Sequence, residues 1–311
     1  MYRPLPSALA LILVLAIFNF ITIVSFLYFG TLTSDDRFLR LGMMFIGSIV
    51  SATITVGVVF IITPVLRDFL ITFRRLLRFD SLSHPLLVRL ATEAPGTYHH
   101  SLMIANLAHR VAKAIGADPI LTRIGAYYHD VGKLKDPELF VENQRDGKTP
   151  PAQNVNYEAA AKKIMAHVEE GLKLAKEHNL PPEITAFIPQ HHGTSVMRYF
   201  YDRAHDEGKH VKMDDFRYQG PKPLSLETAL VMLADAIEAR VRAVGEFTRA
   251  KIQEIVQEVI EERVADKQLE LANVNETLLG KISRAFVEAE LVVHHRRLKY
   301  PADLKKENGT A

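Results

Sequence analysis

The segment Gly125-Ala126-Tyr127-Tyr128-His129-Asp130-Val131-Gly132-Lys133 decides the fold, because it sets a histidine and an aspartate side by side within a helical pattern. Adjacent positions of a helix diverge by about 100°, so His129 and Asp130 do not share a face. They can still flank one metal centre if partners from other helices converge on it. The alternative is a histidine and an aspartate that satisfy each other in a helical core.

Further histidines and one more aspartate occur at helix-like positions. They are His100, His167, His191, His192 and Asp235. Imidazole nitrogens and carboxylate oxygens suit zinc, iron and manganese. Asp235 follows the apolar run 229–234, where a buried carboxylate is costly unless it is paired or bound to a cation. A set of this size favours a metal site over an isolated core pair.

Several of these residues also have an ordinary explanation. His100 could cap a helix, and one member of the doublet His191-His192 could simply be solvated. Lys133 could be an exposed lysine at a helix end. These alternatives stay open from the residues alone.

Seven ligands are too many for one tetrahedral ion, and they suit two adjacent metal ions that share a carboxylate. Such a pair can activate water and stabilise the entering and leaving oxygens of an in-line displacement at phosphorus. Lys133 comes just after Asp130 and could offer a positive charge to a phosphate. The residues therefore point to hydrolysis of a phosphodiester.

Composition restricts the kinds of site and partner. The chain has 311 residues, a formal net charge of +2 and no cysteine. Thiolate ligands, cysteine nucleophiles and disulfides are therefore excluded, and nitrogen and oxygen alone must hold any metal. A charge so near balance offers no case for a nucleic acid polymer as the partner.

Two uncharged apolar runs, residues 7–30 and 41–66, are each long enough to span a bilayer. A signal peptide is the alternative for the first run, which is longer than the apolar region of such a peptide. Arginines 67, 74, 75 and 78 crowd the exit of the second run. The positive-inside rule then predicts a multi-pass protein of the cytoplasmic membrane, in contact with lipid, with its main domain in the cytoplasm.

The rest of the chain reads as helical, so the predicted fold class is all-α. A transmembrane hairpin at 1–66 precedes an amphipathic linker at 67–97, either a stalk or an interfacial helix. Residues 98–299 form a helical domain, and 300–311 a polar tail. Within the domain, Ser225 caps a long helix with Glu227 close by, and another helix starts at Pro181 and runs into His192. Residues 143–156 form a loop, and 201–223 a long mobile loop.

An ordered set of motifs carries a family resemblance. It comprises Gly-Thr-Tyr-His-His-Ser at 96–101, His-Asp-x-Gly-Lys at 129–133, Gln-His-His-Gly-Thr at 190–194 and Gly-Pro-Lys-Pro at 220–223. With these motifs the chain resembles the HD-domain phosphohydrolases, and within them the membrane-anchored 7TM-HD class of cyclic di-AMP phosphodiesterases. Members of that class have seven spans and an extracytoplasmic domain, whereas this chain holds the last two spans.

The resemblance implies a fold, an activity and site residues. Residues 98–299 would be an HD phosphodiesterase domain that hydrolyses cyclic di-AMP to linear pApA with two manganese or iron ions. One ion would be held by His100, His129, Asp130 and Asp235, and the other by His167, His191 and His192 with Asp130 bridging. Asp130 and Lys133 would be catalytic, and Arg242, Lys222 and Tyr128 would contact the substrate.

Other functions stay open beside this one. The resemblance allows a homodimer. It also allows an HD phosphohydrolase acting on cyclic di-GMP or a mononucleotide, although the Gly-Tyr-Pro signature of the cyclic di-GMP group is absent. A catalytically inactive HD signalling module and a redox role for a di-iron site are the remaining alternatives.

Overall fold

The computed structural model describes residues 17, 18, 20–24, 28, 37–144, 156–208 and 210–295. The chain separates into two units, Met1–Arg75 and Leu76–Ala311. Within the described ranges the regular structure is helical, apart from one isolated antiparallel bridge between Val196 and Arg217. The prediction of an all-α fold is confirmed.

Eleven α-helices have defined bounds in the described part of the chain. They are α1 (Arg37–Leu77), α2 (Pro85–Glu93), α3 (Pro95–Ile115), α4 (Pro119–Tyr128), α5 (Tyr157–Glu177), α6 (Pro182–Thr185), α7 (Phe187–Gln190), α8 (Arg198–Asp206), α9 (Leu226–Val244), α10 (Arg249–Ala265) and α11 (Glu276–His295). Short 3₁₀ helices lie between them, at Val131–Lys135, Pro137–Leu139, Val141–Asn143, Met213–Phe216 and Glu270–Ala272.

The first unit contains the second predicted span. Within α1, the segment Phe45–Pro64 is long and apolar enough to cross a membrane, judged by length and composition. The predicted first span, 7–30, lies mostly outside the described residues, as does the polar tail at 300–311. The side chains of residues 65–75 are also outside them, so the amphipathic face of the 67–97 linker stays a prediction.

Capping residues explain where the helices of the second unit begin and end. The Asp118 carboxylate accepts hydrogen bonds from the backbone nitrogens of Ile120 and Leu121, just before α4. Ser225 caps α9 as expected, but Thr228 completes the capping box. The Glu227 carboxylate instead accepts a hydrogen bond from the Asp118 backbone nitrogen.

The core of the second unit consists of two large apolar clusters and a smaller one around Phe216. One surrounds α9 and takes in α3, α10 and α11, and the other gathers α2, α6, α7 and the 3₁₀ helix Val131–Lys135. Helix α4 contributes to both, since Ala126 packs in the first cluster and Ile124 and Tyr128 pack in the second. The end of α4, where His129 and Asp130 follow, is therefore held from two sides.

Three expectations about local structure meet different outcomes. The mobile loop predicted at 201–223 is wrong in part, because α8 runs through Asp206 and Phe216 is fully buried in a 3₁₀ helix. The predicted helix from 181 into 192 is two short helices, α6 and α7. Of the predicted loop at 143–156, residues 145–155 lie outside the described chain.

Candidate metal centre

The predicted ligand residues come from separate helices and meet in the second unit. The donors are His100 from α3, His129 and Asp130 just after α4, His167 from α5, His191 and His192 just after α7, and Asp235 from α9. Asp130 is 1% exposed and His129 is fully buried. Charged and polar groups at such depth need partners, so this cluster of side chains is a built site and not a chance grouping at the surface.

Asp130 lies at the centre of the predicted ligand residues. Its Oδ2 atom is 3.1 Å from His129 Nε2 and 3.7 Å from His100 Nε2. Its Oδ1 atom is 3.5 Å from His167 Nε2 and 3.6 Å from His191 Nε2. The two oxygens of one carboxylate therefore face two different pairs of histidines.

The potential ligand atoms fall into two clusters that share Asp130. One contains Asp130, His167, His191 and His192, and the other contains His100, His129 and Asp130; within each, the donor atoms lie within 4.8 Å of one another. Asp235 joins the second cluster through His100, whose Nε2 is 3.0 Å from Asp235 Oδ1. All seven predicted ligands are thus brought together.

The hydrogen bonding of the histidines fits a metal. The Nδ1 atoms of His129, His167 and His191 each donate to a backbone carbonyl at 2.7 Å. That leaves a lone pair on each Nε2 directed at Asp130. Within the described chain, these three Nε2 atoms and Asp130 Oδ1 are buried without a hydrogen-bond partner. Orphaned acceptors of this kind are rare and costly, and a divalent cation is the partner that would satisfy all of them.

Burial keeps two of the rings, His167 and His192, in the form that suits metal binding. It lowers the pKa of His167 to about 4 and holds the pKa of His192 well below its ordinary range. These rings are therefore neutral at physiological pH, which is the form of imidazole that binds a metal. The His192 ring stacks on Tyr218, with ring centroids 4.2 Å apart.

Lys133 is bound into the centre by carboxylates on both sides. Its Nζ atom is 2.8 Å from Asp130 Oδ2 and 2.8 Å from Glu142 Oε1. Burial lowers the pKa of Lys133, but the charges of Asp130 and Glu142 outweigh burial and raise it above its usual range. Burial raises the pKa of Asp130, but Lys133 outweighs it and holds that pKa well below the ordinary value. The pair stays ionised.

Gly132 lets two backbones approach closely beside these ligands. A Cβ atom at Gly132 would lie 1.8 Å from the carbonyl oxygen of His167 and 2.5 Å from the backbone nitrogen of Gly171, both on α5. A glycine at this position could simply end a helix, but the 3₁₀ helix continues through Gly132 to Lys135. Its structural role is to bring the segment that carries Asp130 against the helix that carries His167.

Comparison with known proteins identifies the family. The family model described as HD domain matches residues 97–240. The crystal structure of the HD domain of phosphodiesterase PgpH from Listeria monocytogenes, in complex with cyclic di-AMP, superposes with a TM-score of 0.65. The two chains are 38% identical, over 68% of this chain and 99% of that one. This chain belongs to the HD-domain family.

Two curated relatives are longer proteins. The cyclic-di-AMP phosphodiesterase PgpH of Listeria monocytogenes is 36% identical over 88% of this chain and 38% of its own length. The protein of the same name from Bacillus subtilis is 36% identical over 75% of this chain and 32% of its own length. The chain therefore spans less than half the length of these relatives.

The predicted substrate contacts of the HD domain lie in different surroundings. Tyr128 is fully buried, and its hydroxyl donates to the Phe79 carbonyl at 3.1 Å. Its side chain packs inside the domain, and its contact with a substrate stays a prediction. Lys222 Nζ lies 3.7 Å from Glu270 Oε2, and Arg242 Nη1 lies 3.2 Å from Glu238 Oε1. Their roles toward a substrate stay predictions.

Sequence reasoning missed several residues around the centre of the HD domain. Glu238 accepts a hydrogen bond from His100 Nδ1, at 3.2 Å, and its spacing from Asp235 by three residues on one helix could have revealed it. Gln268 holds the loop after α7, accepting from the Thr194 backbone nitrogen at 3.0 Å. No sequence signal points to Gln268 or to Tyr218, because their contacts depend on how distant segments pack.

Proposed function

We propose that this chain is a phosphodiesterase that hydrolyses cyclic di-AMP to linear pApA with two divalent ions, of manganese or iron. The observation that carries the proposal is the position of Asp130, whose two oxygens face separate sets of buried histidines. The names of the relatives and the cyclic di-AMP complex of the Listeria HD domain support the choice of substrate.

The chemistry needs a nucleophile other than a side chain. A cyclic dinucleotide has two phosphodiesters and no terminal phosphate, so water must be added across one P–O3′ bond. The hydroxyl goes to phosphorus, the proton goes to the leaving 3′ oxygen, and the product carries a 5′ phosphate. Two divalent ions supply an activated water and offset the negative charge on the phosphoryl oxygens.

The chain's own residues would hold the two ions in place. His129 and Asp130 emerge from the end of α4, where two apolar clusters fix the backbone. Lys133 keeps the Asp130 carboxylate ionised, so both of its oxygens remain available as donors. Removal of that carboxylate should therefore affect both clusters at once.

The test is hydrolysis of cyclic di-AMP, cyclic di-GMP and ATP by the full chain loaded with Mn²⁺ or Fe²⁺. We expect pApA from cyclic di-AMP, and loss of both bound metal and turnover in Asp130→Ala. Asp136→Asn is the matched control. Asp136 is an exposed aspartate that directly follows the 3₁₀ helix Val131–Lys135, whereas Asp130 directly precedes it. Metal-loaded protein that left cyclic di-AMP intact but hydrolysed ATP would overturn the proposal.

We also propose that the chain is anchored in the cytoplasmic membrane with the HD domain on the cytoplasmic side. Support comes from the apolar helix Phe45–Pro64 and from the arginines that follow it in the sequence. A protease site inserted at the exposed Glu207-Gly208 turn should be cut in right-side-out vesicles only after permeabilisation. Cleavage of intact vesicles from outside would refute this orientation.

A further inference from the structure

His100 is held differently from the other buried histidines of the centre. His129, His167 and His191 each donate from Nδ1 to a backbone carbonyl of their own segment. His100 Nδ1 instead lies 3.2 Å from Glu238 Oε2, a side-chain carboxylate on α9. Its orientation therefore depends on another helix.

Helix α9 holds both nitrogens of the His100 ring. Asp235 Oδ1 is 3.0 Å from Nε2, and Glu238, one turn later, binds Nδ1. Glu238 is 3% exposed, so its carboxylate has lost nearly all contact with water. A buried carboxylate is tolerated only when its oxygens are paired, and Oε2 has His100 as its partner.

The second oxygen of Glu238 reaches a side chain that contacts solvent. Arg242, one further turn along α9, donates from Nη1 to Glu238 Oε1 at 3.2 Å. Its side chain is 47% exposed, whereas that of Glu238 is 4% exposed. The three side chains form a chain of hydrogen bonds. It runs from Arg242 at the surface through Glu238 to His100 at the metal centre.

We infer that Glu238 and Arg242 are positioning residues for His100 rather than substrate contacts, an inference that rests on the proposed metal-dependent function. The Glu238 carboxylate selects the tautomer with a proton on Nδ1 and turns the ring so that Nε2 faces Asp130 and Asp235. A carboxylate acceptor also makes the opposite nitrogen a stronger ligand than a carbonyl acceptor would. Arg242 anchors the glutamate in that pose.

The experiment measures Mn²⁺ stoichiometry and affinity in the full chain by competition with a chelator. Glu238→Met removes the acceptor and should weaken binding of one of the two ions by about 10–100-fold. Glu238→Gln keeps an acceptor without the charge, so we expect an intermediate loss. Arg242→Gln should lower metal affinity several-fold and reduce kcat, while KM for cyclic di-AMP stays unchanged.

Matched controls come from a second ion pair that includes α9. Arg240 Nη2 lies 2.8 Å from Glu262 Oε2, and neither residue is one of the predicted ligands. Arg240→Gln and Glu262→Gln should therefore leave metal affinity and kcat as in the wild type. Wild-type affinity in Glu238→Gln would overturn the inference, even if Glu238→Met failed to fold. A raised KM with unchanged metal affinity in Arg242→Gln would instead make Arg242 a substrate contact. Because metal affinity is read without substrate, the outcome stands whether or not cyclic di-AMP is hydrolysed.

Discussion

A methyl group at Gly132 should disable the centre without removing any ligand side chain. The Cβ of Gly132→Ala would lie 1.8 Å from the His167 carbonyl oxygen, and real Cβ atoms essentially never come closer than 3.0 Å to such a neighbour. The obstacle is backbone, which cannot rotate away as a side chain can. The 3₁₀ helix and α5 must therefore separate by at least 1.2 Å, the difference between these distances.

That separation acts directly on the distance between Asp130 and His167. Their closest atoms, Oδ1 and Nε2, are 3.5 Å apart, and the two residues lie on the two segments that move. A misplacement of about 1 Å can cost about 100-fold in rate, so we expect kcat to fall by at least that factor. Overpacking of a close contact should also destabilise the fold by about 1–3 kcal/mol.

The assay combines urea unfolding, metal content and turnover of cyclic di-AMP. Gly280→Ala is the matched control, because Gly280 lies within α11 with nothing inside 4 Å of its added Cβ. There alanine should stabilise the helix by about 0.5–1 kcal/mol and leave turnover unchanged. If Gly132→Ala kept wild-type stability and turnover, the close approach of the two segments would be refuted.

Three further changes test other parts of the structure. Tyr128→Phe loses the hydrogen bond to the Phe79 carbonyl and should cost about 1 kcal/mol of stability with no change in KM; a raised KM would instead support Tyr128 as a substrate contact. Burial, then the charge of Glu238, raises the pKa of Glu290 from an ordinary 4.5 to about 7. The folded chain thus keeps a proton that the unfolded chain releases, and stability falls as pH rises from about 4.5 to about 7. Glu290→Gln should remove that loss and stabilise the protein at pH 8 by up to about 3 kcal/mol in urea unfolding; an unchanged difference between pH 5 and pH 8 would contradict this. Gln268→Ala leaves the Thr194 backbone nitrogen without its acceptor and should cost about 1–3 kcal/mol, whereas wild-type stability would show that the loop does not depend on this contact.

The candidate ligand residues were predictable because each departs from its local sequence pattern. Asp235 follows an apolar run, and His191 and His192 are adjacent before a glycine, so their chemistry shows in the sequence. Helix ends were predictable where a local signal marks them, as at Ser225. These features depend on neighbours in the chain.

Contacts between distant segments were not predictable in this way. The role of Gly132 depends on α5, whose contact residue His167 comes 35 positions later. The burial of Tyr128 was not predictable, because the side of α4 that faces the core is set by packing against distant residues such as Phe79. The sequence predicts a loop across part of α8 because charged and polar residues dominate that stretch, and only Ala204 of this helix is buried.

The donor side chains come from five separate segments between His100 and Asp235, so the complete centre exists only once the domain has folded. A cation bound there favours the folded chain by mass action, by about 2.7 kcal/mol at a hundredfold excess over its dissociation constant. Under metal starvation, a larger share of the chains would then be unfolded and exposed to cellular proteases. The cell's metal supply would thus set how much of this protein survives, as well as how fast each copy works.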